Sequence, residues 1–217
     1  MKDLLSFYDE FCSYLDKEDK QHCVKFIMNA VENGYIGIAE LYEKVLAPAL
    51  NNMMERYGEE LFIWNEHVRS SIIRTIIECC YPHVTEEISK SGISLNKGKV
   101  LLVCPPEEYH ELGLRMGSDY FNLCGYSTVL TGANTPMEVI ISGIKLEAPD
   151  YVVISASNYY NLVAARKVMA AVHSADCKIK ILASGYAFHK DQTLSRSIGA
   201  LAVVNSMEDI LALEGEL

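Results

Sequence analysis

Residues 1–92 carry apolar side chains at intervals of three or four, which is the period of one helix face. The pattern predicts four helices, over residues 3–15, 18–32, 38–57 and 61–88. Gly34, Gly58 and Gly92 follow three of these segments, and glycine favours the backbone conformation that ends a helix. Pro48 lies inside the third segment and predicts a kink there. Four helices with short connections predict a helical bundle.

Residues 98–217 follow a different pattern, in which short apolar runs alternate with helical stretches. The predicted strands are 99–104, 127–131, 151–155, 179–183 and 201–204, and the predicted helices are 112–124, 136–147, 159–173, 190–198 and 207–213. This alternation indicates a parallel sheet that is covered by helices on both sides. Five strands in such a length fit a flavodoxin-like (Rossmann-like) α/β domain with strand order 2-1-3-4-5. The predicted fold is therefore a four-helix cap, residues 1–92, followed by this domain.

Charge and composition exclude several classes of function. The chain has 217 residues and a net charge of −10, without the basic patch that a nucleic-acid interface requires. No apolar run is long enough to span a membrane, and the amino terminus lacks the flanks of a signal peptide. The seven cysteines show no Cys-x-x-Cys spacing, which is typical of reduced thiols. We expect a cytoplasmic protein that binds neither nucleic acid nor membrane directly.

The candidate chemistry lies where the predicted strands end. His110 follows the first strand, Ser155 and Ser157 follow the third, and Gly185 follows the fourth. In a doubly wound sheet, these carboxyl ends form the ligand crevice near the switch point. Histidine ligates transition metals when a carboxylate or carbonyl holds its other ring nitrogen, and the neighbouring residues Glu108 and Glu111 are candidate holders. Gly113 and Gly117 lie four residues apart, and a helix face without side chains leaves a groove for an elongated group.

These residues resemble the signature of the cobalamin-binding domain that methionine synthase, cobalamin-dependent mutases, corrinoid methyl carriers and light-sensing regulators share. That signature is Asp-x-His-x-x-Gly, then Ser-x-Leu, then Gly-Gly. The present chain has Glu108-Tyr109-His110-Glu111-Leu112-Gly113, Ser155-Ala156-Ser157 and Ser184-Gly185-Tyr186 in the corresponding places. The resemblance implies that His110 is the lower ligand of cobalt, in place of the cofactor's own dimethylbenzimidazole. It also implies that the displaced nucleotide tail enters a groove beside Gly113, Gly117, Ser155, Ser157 and Gly185.

A second resemblance concerns the predicted cap. Trp64, Glu66 and His67 follow Tyr57 in a segment that is similar to the cap of cobalamin photoreceptors, which contacts an upper adenosyl ligand. The resemblance implies that Tyr57 or Trp64 covers the upper ligand and that Glu66 and His67 contact it. Core packing of Trp64 is the simpler alternative, because this residue falls on the apolar stripe of its helix.

Three functions are compatible with these patterns. The first is a light or cofactor sensor that binds adenosylcobalamin and, without a DNA-binding domain of its own, signals through its own assembly or a partner protein. The second is a corrinoid methyl carrier that binds methylcobalamin and forms part of a methyltransferase system. The third is a haem-binding sensor built on the same domain, with His110 on iron. Glu108, in place of the usual Asp, favours the first, in which the protein is not itself an enzyme.

Overall fold

The computed structural model of the chain describes residues 3–51, 59–189 and 192–213. The chain divides into two compact units, Met1–Glu87 and Ile88–Leu217. Within the described residues, no helix combines the length and the apolar composition needed to cross a bilayer.

The first unit is helical, as the sequence predicts. Its elements are α1 (Leu4–Leu15), α2 (Lys20–Glu32), α3 (Ile38–Leu41), a π-helical segment (Tyr42–Leu46), α4 (Ala47–Asn51) and α5 (Glu59–Lys90), which continues into the second unit. The Asp3 and Asp19 carboxylates begin α1 and α2 by accepting hydrogen bonds from the backbone N–H groups of Ser6 and His22. The second helix therefore starts two residues later than predicted.

Two features mark the core of the first unit. The guanidinium of Arg69 is buried and pairs with the carboxylate of Asp16. The π-helical segment puts Tyr42 and Leu46 into the core, where both are fully buried. A π-helix has hydrogen bonds between residues i and i+5, and here it ends two residues before Pro48. The third predicted helix is therefore irregular before the proline, and the kink at Pro48 itself stays a prediction.

The second unit is a doubly wound α/β domain. Its five strands are β1 (Lys99–Val103), β2 (Ser127–Leu130), β3 (Tyr151–Ser155), β4 (Lys180–Ser184) and β5 (Ala202–Val203). All neighbouring pairs are parallel, and the strand order is β2-β1-β3-β4-β5, which confirms the predicted order. The central strand β3 is buried along its whole length, as expected of a strand that is covered on both faces.

Helices cover both faces of this sheet. The helical elements are α6 (Leu112–Leu123), α7 (Met137–Glu147), a short 3₁₀ turn (Tyr159–Asn161), α8 (Leu162–Ala175), α9 (Tyr186–His189), α10 (Gln192–Ser197) and α11 (Met207–Ala212). Helix α6 packs with α11, and α7 packs with α8. The apolar core between the sheet and α7–α8 includes Ile140, Val168 and Met169, each of them fully buried. The switch point between β1 and β3 therefore opens at the carboxyl edge of the sheet, as in other sheets of this order.

Candidate cofactor site

The loop after β1 holds the histidine that the sequence singles out. The backbone turns back on itself at Pro105, whose carbonyl accepts a hydrogen bond from the N–H of Glu108 at 3.1 Å. Glu107 has a left-handed backbone conformation, with φ at 68°, and its N–H donates to Oδ1 of Asn134 at 2.8 Å. In return, the N–H of Asn134 donates to the carbonyl of Glu108 at 2.7 Å. These bonds join the loops after β1 and β2 and fix the position of Glu108.

The carboxylate of Glu108 is fully buried and accepts four hydrogen bonds. Its Oε1 receives the backbone N–H of His110 at 2.8 Å and lies 2.7 Å from Nδ1 of the same residue. Its Oε2 receives the N–H of Ser157 and the Nδ2 group of Asn161, both at 2.6 Å. One carboxylate therefore links the loop after β1 to the turn after β3.

These contacts determine the protonation states of Glu108 and His110. Burial raises the pKa of Glu108, but the hydrogen bonds from His110, Asn161 and Ser157 more than offset it, and the pKa lies below its ordinary value. Glu108 is therefore ionised at neutral pH and can only accept hydrogen bonds, so that Nδ1 of His110 carries a proton. In the neutral imidazole the lone pair then lies on Nε2, which is the atom that would ligate a metal. The side chain of His110 is 50% exposed at the edge of the sheet.

Glu111, the other candidate holder of His110, has different contacts. Its Oε1 accepts from Nε of Arg115 at 3.2 Å, and its Oε2 accepts from the N–H of Ala133 at 2.9 Å. It lies close against Gly132, where an added Cβ would come within 3.0 Å of Oε2. Glu111 therefore holds the loop after β2, and Glu108 holds the imidazole.

The backbone at Gly185 lies close to the end of β3. With φ at 100°, this residue has a conformation that favours glycine, and an added Cβ would lie 2.4 Å from the carbonyl oxygen of Ala156. Oδ1 of Asn205 accepts the N–H of Gly185 at 2.9 Å and the hydroxyl of Ser184 at 3.3 Å. The carboxyl ends of β3, β4 and β5 are thus joined at one place.

The predicted groove residues lie on α6 and at or directly after the ends of β3 and β4. An added Cβ at Gly113 would meet no atom within 4 Å, and one at Gly117 would lie 4.0 Å from a methyl group of Leu102. The space around Gly113 is therefore open, whereas Gly117 faces Leu102 of β1. Ser155 is buried at the end of β3, and Ser157 is half-buried. Tyr109 and Tyr186 are exposed beside His110 and Gly185 in the sequence, so their rings are accessible at the edge.

A buried thiol lies beneath the histidine. The Sγ atom of Cys104 is 3.9 Å from the carbonyl oxygen of His110. Burial and, next, the negative charge of Glu108 and Glu111 raise the pKa of this thiol to about 12. Cys104 and Cys124 are both buried, as small core residues are.

The candidate residues of the predicted cap belong to the first unit. Trp64 is 63% exposed, so the alternative in which it packs in the core is wrong. Glu66 is half-buried and His67 is exposed on the same helix, α5. Tyr57 lies outside the described residues, and its role stays a prediction, as do those of the other three.

Sequence reasoning missed two residues of the site, Asn161 and Asn205. Both act through hydrogen bonds to residues that are distant in the chain, and neither falls in the recognised motifs. An asparagine directly after a strand end was visible at Asn205, but the sequence contains no sign of its partner.

The donor set at this edge fits a single histidine ligand to a large metal cofactor. The imidazole has a carboxylate partner on Nδ1, the ring is accessible, and Gly113, three residues further along the chain, faces open space. An α/β domain with such a site is typical of proteins that bind a large metal cofactor through one histidine.

Comparison with known families identifies the family to which the chain belongs. The family model described as B12 binding domain matches residues 98–213, more than half of the chain. The chain therefore belongs to the B12-binding domain family and is a cobalamin-binding protein, which confirms the resemblance drawn from the sequence. A search of curated proteins finds no match.

Solved structures show the same fold. The monomethylamine corrinoid protein of Methanosarcina barkeri has a TM-score of 0.79 and 15% identity, with 97% of this chain and 99% of that chain covered. A cobalamin-binding protein from Desulfitobacterium hafniense DCB-2 has a TM-score of 0.50 and 14% identity, over 96% of this chain and 97% of that one.

Proposed function

We propose that this protein is a corrinoid carrier, which holds cobalamin through His110 and presents the upper ligand of cobalt to partner enzymes. The observation that supports the cofactor site is the buried Glu108 carboxylate on Nδ1 of His110. The carrier role is supported by the likeness to a monomethylamine corrinoid protein, which covers both chains almost from end to end. Cobalamin, when bound, supplies a cobalt ion with an exchangeable upper ligand.

The residues of the chain have distinct roles in this proposal. Glu108 keeps the proton of His110 on Nδ1, so that Nε2 points its lone pair to the metal. Gly113, Gly117 and Gly185 leave space for the nucleotide tail, with Ser155 and Ser157 as hydrogen-bonding groups beside it. Tyr109 and Tyr186 provide apolar ring surface for the edge of the corrin. The fixed loops hold the imidazole ready before the cofactor arrives, which lowers the entropic cost of binding.

An adenosylcobalamin sensor is the second candidate. It is supported by the exposed indole of Trp64, with Glu66 and His67 following on α5, because an exposed tryptophan is available to cover a ligand or to bind a partner. In this alternative, loss of the adenosyl group changes the assembly of the protein with itself or with another protein.

One experiment separates the two candidates. The protein is loaded with methylcobalamin or with adenosylcobalamin in the dark, and absorption spectra and molecular mass are recorded before and after green light. A carrier is expected to bind both forms with similar affinity and to keep its mass after illumination. A change in oligomeric state that occurs only with the adenosyl form would refute the carrier and support the sensor. Histidine-to-alanine substitution at His110 should abolish the spectrum of histidine-ligated cobalamin in either case.

A further inference from the structure

A concave site lies next to the loop that carries His110. It is a pocket of about 270 Å³ between this loop, the start of α7 and the start of α8. Its apolar lining includes Pro106, Met137 and Val163, and its polar lining consists of Glu107, Tyr160 and Lys167. None of these residues belongs to the set proposed for the cofactor.

The polar lining carries two opposite charges. In the part of the chain that the structure describes, the side chains of Glu107 and Lys167 form no hydrogen bond or ion pair with each other or with other groups. Helix α8 contains no acidic residue, so that Lys167 stands in a locally basic segment of an acidic chain. Tyr160 is 90% exposed, and the face of a tyrosine ring attracts cations weakly through its quadrupole. The pocket therefore offers one place for a cation and another for an anion.

We propose that this pocket binds a small zwitterion, with an ammonium group at Glu107 and Tyr160 and a carboxylate at Lys167. The apolar lining would contact a short aliphatic chain between the two groups. Pockets for drug-sized ligands range from about 300 to 1,000 Å³. The present volume lies just below that range, which favours a ligand of a few carbon atoms over a nucleotide or a peptide segment.

Two residues of the pocket are adjacent in sequence to residues of the hydrogen-bond network that holds His110. Glu107 directly precedes Glu108, and Tyr160 directly precedes Asn161. Glu108 and Asn161 are joined at 2.6 Å in the network that holds the imidazole. The left-handed backbone at Glu107 is a strained conformation that its surroundings must maintain. A ligand in the pocket would contact Glu107 and Tyr160, which are the chain neighbours of Glu108 and Asn161. It would therefore act as an effector of the cofactor site, and this effector role rests on the function proposed above.

The binding step can be tested on the protein without cofactor. Isothermal titration with β-alanine, γ-aminobutyrate and ε-aminocaproate varies the distance between the two charges, and butyrate and butylamine supply one charge each. We expect saturable binding of at least one zwitterion, with a Kd on the order of 1 mM because the charged groups are exposed. Each single-charge compound should bind more weakly by about three- to fivefold or more.

Variants locate the binding. Lys167→Met and Glu107→Gln should each weaken the zwitterion by about three- to fivefold. Arg166→Met is the matched control, because Arg166 is an exposed cation on the same helix and does not line the pocket; its affinity should equal that of the wild type. The absence of saturable binding by all three zwitterions, or equal affinity in the Lys167→Met variant, overturns the proposal.

The effector step is tested separately. A zwitterion that favours the arrangement of His110 needed for cobalt must change the apparent Kd of cobalamin. By thermodynamic linkage, bound cobalamin must change the Kd of the zwitterion by the same factor. Equal cobalamin affinity with and without saturating zwitterion would refute the effector role and leave the pocket itself established by the first titration. Failure to bind cobalamin under any condition would refute the function proposed above, and the titration without cofactor would still decide on the pocket.

Discussion

Replacement of Glu108 by glutamine tests the core of the cofactor site. The variant keeps the size and shape of the side chain but replaces one acceptor oxygen by an NH2 group. Either that group faces His110, whose N–H and Nδ1–H then lose their acceptor, or it faces Ser157 and Asn161. The amide of Asn161 can turn over and accept from glutamine, but the backbone N–H of Ser157 has no such alternative.

The expected magnitudes follow from this count. At least one buried donor is left without a partner, which costs about 1–3 kcal/mol of unfolding free energy. In addition, the imidazole loses the charge that fixes its tautomer and orientation, and such outer partners of metal ligands are worth about 10- to 100-fold in metal affinity. We therefore expect both lower stability and a cobalamin Kd that is raised by that factor, with a smaller fraction of histidine-ligated spectrum.

Glu111→Gln is the matched control. Glu111 is also a buried carboxylate with a backbone N–H partner, and it lies one residue after His110. The Glu111→Gln variant should lose a similar amount of unfolding free energy, measured by urea denaturation with circular dichroism. Its cobalamin spectrum should stay that of the wild type. Equal loss of cobalamin affinity in both variants would show that Glu108 acts through general stability, and our account of its role would be wrong.

The acid dependence gives a second measurement on the same variant. The folded-state pKa of Glu108 lies below its ordinary value, so the unfolded state binds more protons in the range between the two. The stabilisation is complete above the ordinary carboxyl range, about 4 to 4.5, and is lost as the pH falls through the folded-state pKa. The unfolding free energy of the wild type should fall more steeply with acid than that of Glu108→Gln; identical slopes would contradict the assignment.

Three further substitutions probe other parts of the structure. Gly185→Ala should cost about 2–3 kcal/mol in urea denaturation, because its Cβ would lie 2.4 Å from the carbonyl oxygen of Ala156; a neutral effect would mean that this close approach does not exist in solution. Gly113→Ala should leave stability unchanged or raise it by about 0.5 kcal/mol, since its Cβ meets open space, and should weaken cobalamin more than cobinamide, which lacks the nucleotide tail. Equal weakening of both corrinoids would place the tail elsewhere. Asp16→Asn should cost about 1–3 kcal/mol, because a neutral amide replaces the charged acceptor that pairs with the buried guanidinium of Arg69, and an unchanged denaturation midpoint would refute this.

The sheet could be predicted closely because its strands are buried on both faces. A continuous apolar run of about five residues is typical of a strand that is buried on both faces. The predicted and observed bounds of the third strand are identical. The short β5 is two residues shorter than predicted, since pairing with β4 ends before its apolar run does. Helix α9 was missed entirely, because Tyr186–His189 is a single turn that has no periodicity to detect.

The site was predictable only in part. A histidine after a strand and glycines at helical spacing are visible in the sequence, and they indicated the position of the crevice. The choice between Glu108 and Glu111 was not visible, since both flank His110, and only the turn at Pro105 decides which carboxylate reaches the ring. The exposure of Trp64 was also hidden, because the periodicity of a helix identifies its apolar face but not where along the helix its neighbours end.

The buried sulfur of Cys104 has a consequence for chemical labelling. A thiol whose pKa is raised to about 12 is almost entirely protonated at neutral pH and reacts poorly with electrophiles. Cys177, by contrast, is exposed at the opposite end of the β3–β4 connection from the strand ends that form the crevice. A maleimide dye added to the native protein should therefore attach at Cys177, and at the half-buried Cys79 more slowly, and leave the sulfur beneath His110 untouched. The label at Cys177 provides a fluorescent reporter that does not disturb the crevice.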